Sequence, residues 1–277
     1  MLSIFFPIFF LVFPQLFLIE ALDKNIFKGF GIFVCVALLI GTLINFSLCI
    51  LLLTLFGPLI LAFHYLIKKG VSPKVTMSVV MIVFFISMMI CLNNVGFSPT
   101  YLKSDDFIKN IYNLSAKFNI NFESTAYIKI LINRYLQILP AIITIISLSI
   151  TYITYTLTGM ALLKRGKLIV QPYSYMFIRL PRGSVIAFLA IGILMVYGDK
   201  IIGNNYLILV DNLIYIFKFV IFLVGVSFIL YSMQRIKINK VIRFFTLMLI
   251  LFIPSLESFI IGIGITEQIF NFRKLPR

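Results

Sequence analysis

The chain has 277 residues, of which 61% are hydrophobic and only 12% charged, and its formal net charge is +15. Its mean hydropathy is +1.10, whereas a soluble domain carries about a quarter charged residues, so a soluble globular fold is excluded. The cations cluster in short links between apolar runs, which is the positive-inside pattern of membrane proteins and not a nucleic-acid footprint.

The opening run, residues 2–19, contains Pro7 and Pro14 and has neither a basic start nor a small-residue cleavage site. It reads as a retained span, because bends at proline are tolerated where neighbouring helices satisfy the freed carbonyls. Residues 29–67 are almost continuously apolar, too long for one helix across a core of about 30 Å. The polar break at 44–47 divides them into spans near 29–45 and 48–67. A fourth span covers 75–92.

Residues 93–134 form the one sizeable polar segment. Ser104 is placed to cap a helix whose first turn carries Asp105 and Asp106. Phe107, Ile111, Leu114 and Phe118 follow an amphipathic period, so this helix is expected on the membrane surface or over the bundle, on the extracytoplasmic side. Span five covers 135–163, with Pro140 near its start. The link after it holds the stretch YSYMFIRLPRGS, in which Arg179 and Arg182 flank Pro181. Spans six, seven and eight follow at 183–198, 206–232 and 243–266.

The expected fold is therefore an all-α polytopic bundle of about eight spans, with seven as the alternative count, forming a single membrane domain over 1–277. Counted on alternate sides, fourteen Lys and Arg fall on one side and nine on the other. The richer side is assigned to the cytoplasm. Eight spans would then leave the basic tail, Arg273, Lys274 and Arg277, on the opposite side, which is a tension within the reading.

Catalytic signatures are absent: no HExxH, no phosphate-binding glycine loop and no Cys–His–carboxylate spacing occur. An enzyme is not expected, nor a cofactor or a metal site. Cys35, Cys49 and Cys91 lie inside apolar runs and read as free thiols. His64, the single histidine, reads as an interfacial side chain bonded to water or backbone.

Intramembrane charge is more informative, because a charge at mid-membrane costs at least a few kcal/mol unless paired or hydrated. Lys218 and Glu257 stand roughly 25 Å and 21 Å from the basic ends of spans seven and eight. They are expected to pair across antiparallel neighbours. Asp211 and Asn212, nearer the outer end, are candidate ligand-facing groups. Arg179 and Arg182 are candidate contacts for lipid headgroups or for an acidic partner surface. Ser147, Thr151, Thr154 and Thr158 step by four, three and four along span five. They form a hydroxyl stripe that reads as glue between helices before it reads as a binding wall.

Three motifs carry a resemblance. They are Leu139-Pro140-Ala141, the run from Phe177 to Pro181, and the closing run from Gly264 to Lys274, GITEQIFNFRK. Together they resemble the YybS-like family of uncharacterised bacterial integral membrane proteins. That family is in turn distantly similar to the substrate-binding membrane components of energy-coupling-factor vitamin transporters. The resemblance implies a bundle that binds a small molecule and docks on a transmembrane partner driven by ATPases.

The expected role is a transporter-type substrate-binding component or small permease for an unidentified small molecule, in a bacterial cytoplasmic membrane. The alternative is a non-transporting scaffold or assembly partner in envelope synthesis or division. In either case the lipid bilayer is a partner and nucleic acid is not.

Overall fold

The computed structural model describes residues 2–94, 99–117, 124–170, 172, 174–181, 183–202 and 206–274, and every regular element among them is helical. They fall into two compact units, Met1–Pro172 and Tyr173–Arg277. Each is a helical bundle.

The first unit contains α1 (Leu2–Asp23), α2 (Ile26–Leu43), α3 (Phe46–Lys68), α4 (Pro73–Asn94), the short α5 (Pro99–Leu102), α6 (Asp105–Lys117) and α7 (Thr125–Lys164). Of these, α2, α3, α4 and α7 are long and apolar enough to cross a membrane. The expected break between α2 and α3 is present. The Asn45 side chain accepts from the Ser47 N–H at 3.0 Å and starts α3. The amphipathic helix is α6, and Ser104 accepts from the Phe107 N–H at 3.3 Å, as an N-cap should. Phe118, the last residue of the expected stripe, lies outside the described residues.

Span five differs in length. α7 begins at Thr125, ten residues before the apolar run, because Ser124 caps it by accepting from the Tyr127 N–H. α6 packs against α7, and Asp105 of α6 lies 3.7 Å from Lys129 in this extension. The helix passes through Pro140, whose carbonyl accepts a bond from the Thr144 hydroxyl at 2.8 Å.

The core of this unit is aromatic. Phe13 and Phe17 of α1 meet Phe33 of α2 at 6.0 and 5.3 Å between ring centroids, and Phe56 of α3 stacks on Phe84 of α4. Rings supply large contact area with few rotamers to fix. At the edge of the apolar layer, Arg165 bonds Glu20 at 3.0 Å and Asp23 at 2.8 Å, while Lys167 pairs with Asp23 and Lys24 with Glu20. These bonds hold the C-terminal ends of α1 and α7 together, so the two packed helices run parallel.

The second unit contains α8 (Gly183–Ile202), α9 (Tyr206–Arg235), α10 (Lys240–Phe252) and α11 (Leu256–Phe270), preceded by a tight turn at Tyr175–Phe177. α9 is long and apolar enough to span, and α8 has a shorter apolar stretch at Ile186–Gly198. Phe188 packs on Phe217, and Gly198 lies against Tyr206, which makes α8 and α9 antiparallel.

The last span is a correction. Residues 243–266 are not one helix, because the chain breaks between Phe252 and Leu256, at Ile253, Pro254 and Ser255. Pro254 has no N–H to continue the ladder and its ring clashes with the preceding turn. α11 then packs along α9. A methyl at Gly225 would sit 2.2 Å from the Ile260 carbonyl oxygen, and one at Gly264 would sit 2.3 Å from that of Ile221. Both glycines are needed for this approach. Beyond the crossing, Phe228 meets Phe272 and Ser227 meets Arg273. Residues following one glycine meet residues following the other, so α11 runs parallel to α9.

The tail therefore returns to the end of α9 that carries Arg235. That removes the tension in the charge count. Moving Arg273 and Lys274 across changes fourteen against nine into sixteen against seven, a stronger positive-inside bias.

Two outcomes follow. In a background lacking Cys35, Cys49 and Cys91, Lys237→Cys and Lys274→Cys should both resist an impermeant thiol reagent in intact cells and react after permeabilisation. Opposite behaviour of the two positions would show that the tail has crossed.

The second concerns the ion cluster. Hydrogen bonds from Lys24 and then Arg165 hold the Glu20 carboxyl below its ordinary value, and those from Lys167 and then Arg165 do the same at Asp23. Depressed carboxyls stabilise above their unfolded values, about 4.3 for Glu and 3.9 for Asp. The contribution is lost as pH falls through the lower folded values. Arg165→Gln should lower the unfolding midpoint modestly at pH 7, as exposed pairs do, and the difference from the parent should shrink below about pH 4. A difference that persists unchanged at low pH would mean that Arg165 acts by packing.

Candidate functional site

The second unit gathers its polar groups around the C-terminal motif. α11 ends where Asn271 takes a left-handed conformation, φ +50°, and its N–H bonds the Glu267 carbonyl at 2.9 Å. Asparagine tolerates that conformation better than most residues. The turn sends the chain back, so that Phe272 donates its N–H to Glu267 Oε2 at 3.1 Å and Arg273 reaches Glu267 Oε1 through Nε at 2.8 Å. Both side chains of this ion pair are fully buried.

The rest of the Arg273 guanidinium binds other parts of the unit. Nη1 donates to the Met176 carbonyl at 2.7 Å and to Ser227 Oγ at 2.6 Å, and Nη2 donates to the Ile178 carbonyl at 2.9 Å. Gln268, next to Glu267, donates to the Leu180 carbonyl at 3.0 Å. Two side chains thus satisfy three carbonyls of the stretch Met176–Leu180, which runs from the turn at Tyr175–Phe177 into extended chain. A planar fork with several fixed donors suits this task, and a lysine would not reproduce it. Glu267 neutralises the charge that the fork brings inside.

The residues expected from sequence are arranged differently. Lys218 and Glu257 each stand seven positions before the glycine at the crossing, Gly225 and Gly264. The helices are parallel, not antiparallel, and their close approach is at the glycines. Both side chains are exposed, and no ion pair joins them among the described residues. Lys218 lies instead over the Tyr215 ring, 6.0 Å from its centroid. The expected pairing is corrected accordingly.

Asp211 is exposed. Asn212 is buried and donates through Nδ2 to the Ile208 carbonyl at 2.7 Å. Arg179 is half-buried between the two anchored carbonyls of Ile178 and Leu180. Arg182 lies outside the described residues. No cluster of metal-ligating side chains occurs among the described residues, and the three cysteines are free thiols.

The buried pair was not legible as a pair. Glu267 and Arg273 appear in the sequence only inside the terminal motif, beyond the apparent end of the last span. The usable signal was an acidic residue and an arginine six apart, following the glycine of GIT, in a chain poor in charge.

The chain belongs to the family described as "Predicted membrane protein (DUF2232)", whose model matches residues 1–267. No curated protein and no solved structure matches it.

Breaking a buried ion pair by removing one partner costs about 3–5 kcal/mol, whereas replacing both with apolar residues is often near neutral. Arg273→Met and Glu267→Leu should each lower the detergent unfolding midpoint strongly. The double change should recover part of the loss, but not the part due to Met176 and Ile178, whose carbonyls remain unpaired. Strictly additive losses would show that the two side chains are energetically independent.

Proposed function

We propose that the chain is a transport-type membrane component: a substrate-binding component or small permease for an unidentified small molecule, in a bacterial cytoplasmic membrane. The observation that carries this reading is the interrupted helix pair α10–α11. A hydrophobic segment interrupted by proline is similar to the discontinuous helices from which many secondary transporters build their sites. The buried Glu267–Arg273 pair behind α11 adds support, because ionisable groups inside an apolar bundle are retained for function more than for stability.

The reading assigns no catalytic step to the chain. It gives Glu267 and Arg273 a positioning role, holding α11 and the Met176–Leu180 stretch in one arrangement. It leaves Asp211 and Glu257, both exposed on this unit, as polar groups available to a ligand. The same stretch presents Tyr175 and Phe177 outward beside Arg179, a surface suited to a coupling partner with ATPases. A scaffold in envelope synthesis or division would use that surface too.

Isolation of the tagged chain from native membranes, with identification of retained proteins and small molecules together, separates the two. A retained small molecule, or an ATPase-linked transmembrane partner, is the expected result. Recovery of division or wall-synthesis proteins with no small molecule would replace transport with the scaffold reading.

A further inference from the structure

Within the first unit, Ser147, Thr151, Thr154 and Thr158 share one face of α7 and are fully buried. None of their hydroxyl oxygens has a hydrogen-bond partner. Other hydroxyls on the same helix behave differently. Thr144, Ser149 and Thr156 each donate to the carbonyl one turn back, those of Pro140, Ile145 and Tyr152, at 2.8 Å. The backbone acceptor is thus within reach of a hydroxyl on α7, and the four interior ones do not take it.

Glue between helices would appear as hydrogen bonds to a neighbouring helix, and these four make none. A buried polar group without a partner is uncommon and costly, and a bound water or other guest is its usual resolution. The stripe is also long. It begins about 10 Å from the Arg165 end of the helix and extends about 16 Å further, through much of an apolar layer of about 30 Å.

A fifth group stands at the same height. The Gln15 Oε1 is buried and likewise unpartnered. α1 runs parallel to α7 and is tied to it at Asp23. Gln15 precedes Asp23 by eight residues, and Thr158 precedes Arg165 by seven. The five groups are all uncharged. Hydroxyls both donate and accept, and an amide oxygen accepts. They match a guest that is itself uncharged and carries hydroxyl groups.

We propose that this face of α7 holds such a guest inside the first unit, supplied either as bound water or as a small hydroxylated solute. The site is separate from the broken helix pair and does not depend on the transport reading.

The full chain in nanodiscs tests it with two measurements. Pulsed X-ray hydroxyl-radical labelling oxidises side chains next to bound water, and native mass spectrometry reads a retained solute as added mass. Oxidation of Ile150 or Tyr155, both buried beside the stripe, identifies water, and added mass identifies a solute. Whichever signal is present should be largely lost in the isosteric Thr151→Val/Thr154→Val variant. It should persist in Thr156→Val, whose hydroxyl is already bonded to Tyr152. Thr158→Val alone makes the same comparison if the double variant does not fold. Absence of both signals in the parent chain overturns the proposal, as does a signal that survives the substitutions unchanged. In the first case the double variant should also unfold at a higher temperature, because removing an unpaired hydroxyl from dry packing is stabilising.

Discussion

The guanidinium of Arg273 supplies donors to backbone carbonyls that no α-helix ladder satisfies. Where packing removes water, a backbone carbonyl must find a donor within the protein. Met176 and Ile178 find theirs on Arg273, and Leu180 finds one on Gln268. Glu267 makes the arrangement electrically neutral, and Ser227 of α9 ties it to the long helix. The pair is poor as a source of stability, since two ions have been taken out of water. Its effect is positional, because this one placement of the tail satisfies these carbonyls and this carboxylate together.

That placement has a geometric precondition. Arg273 reaches Ser227 only because α11 runs parallel to α9, and the parallel course exists only because the chain reverses at Pro254. Gly225 and Gly264 then bring the two backbones together, with each glycine against a carbonyl of the other helix. Small residues at such crossings are the general solution where lipid leaves no hydrophobic force between helices. The break, the glycines, the left-handed Asn271 and the ion pair form one chain of dependence.

The first unit solves the same solvent problem in another way. Its charges stay at the edge, where Glu20, Asp23, Arg165 and Lys167 remain partly in water. Its interior is filled by phenylalanine rings from α1 to α4. Against this dry packing the four unpartnered hydroxyls of α7 are an exception, and their narrow alignment on one face makes accident a poor explanation.

Hydropathy and charge by themselves determined the membrane class, the boundaries of most helices, the division of the long apolar run at Asn45 and the Ser104 cap. These features depend on local chemistry: apolar length, a capping side chain, and cations that avoid the bilayer. Tertiary structure decided the rest. Apolar composition continues across Ile253–Ser255, so hydropathy reads one span where proline geometry makes two helices. Depth along a helix is readable from residue number, and it put Lys218 and Glu257 at similar heights. Whether two side chains meet depends on helix direction and on where the backbones converge, which only packing sets. Glu267 and Arg273 lay beyond the apparent last span, yet among the described residues they are the charges that ended up buried, because a reversal of the chain carried them back along α9. The hydroxyl stripe was visible as a periodicity. That its members leave their own backbone and meet no neighbour is a property of the packed unit alone.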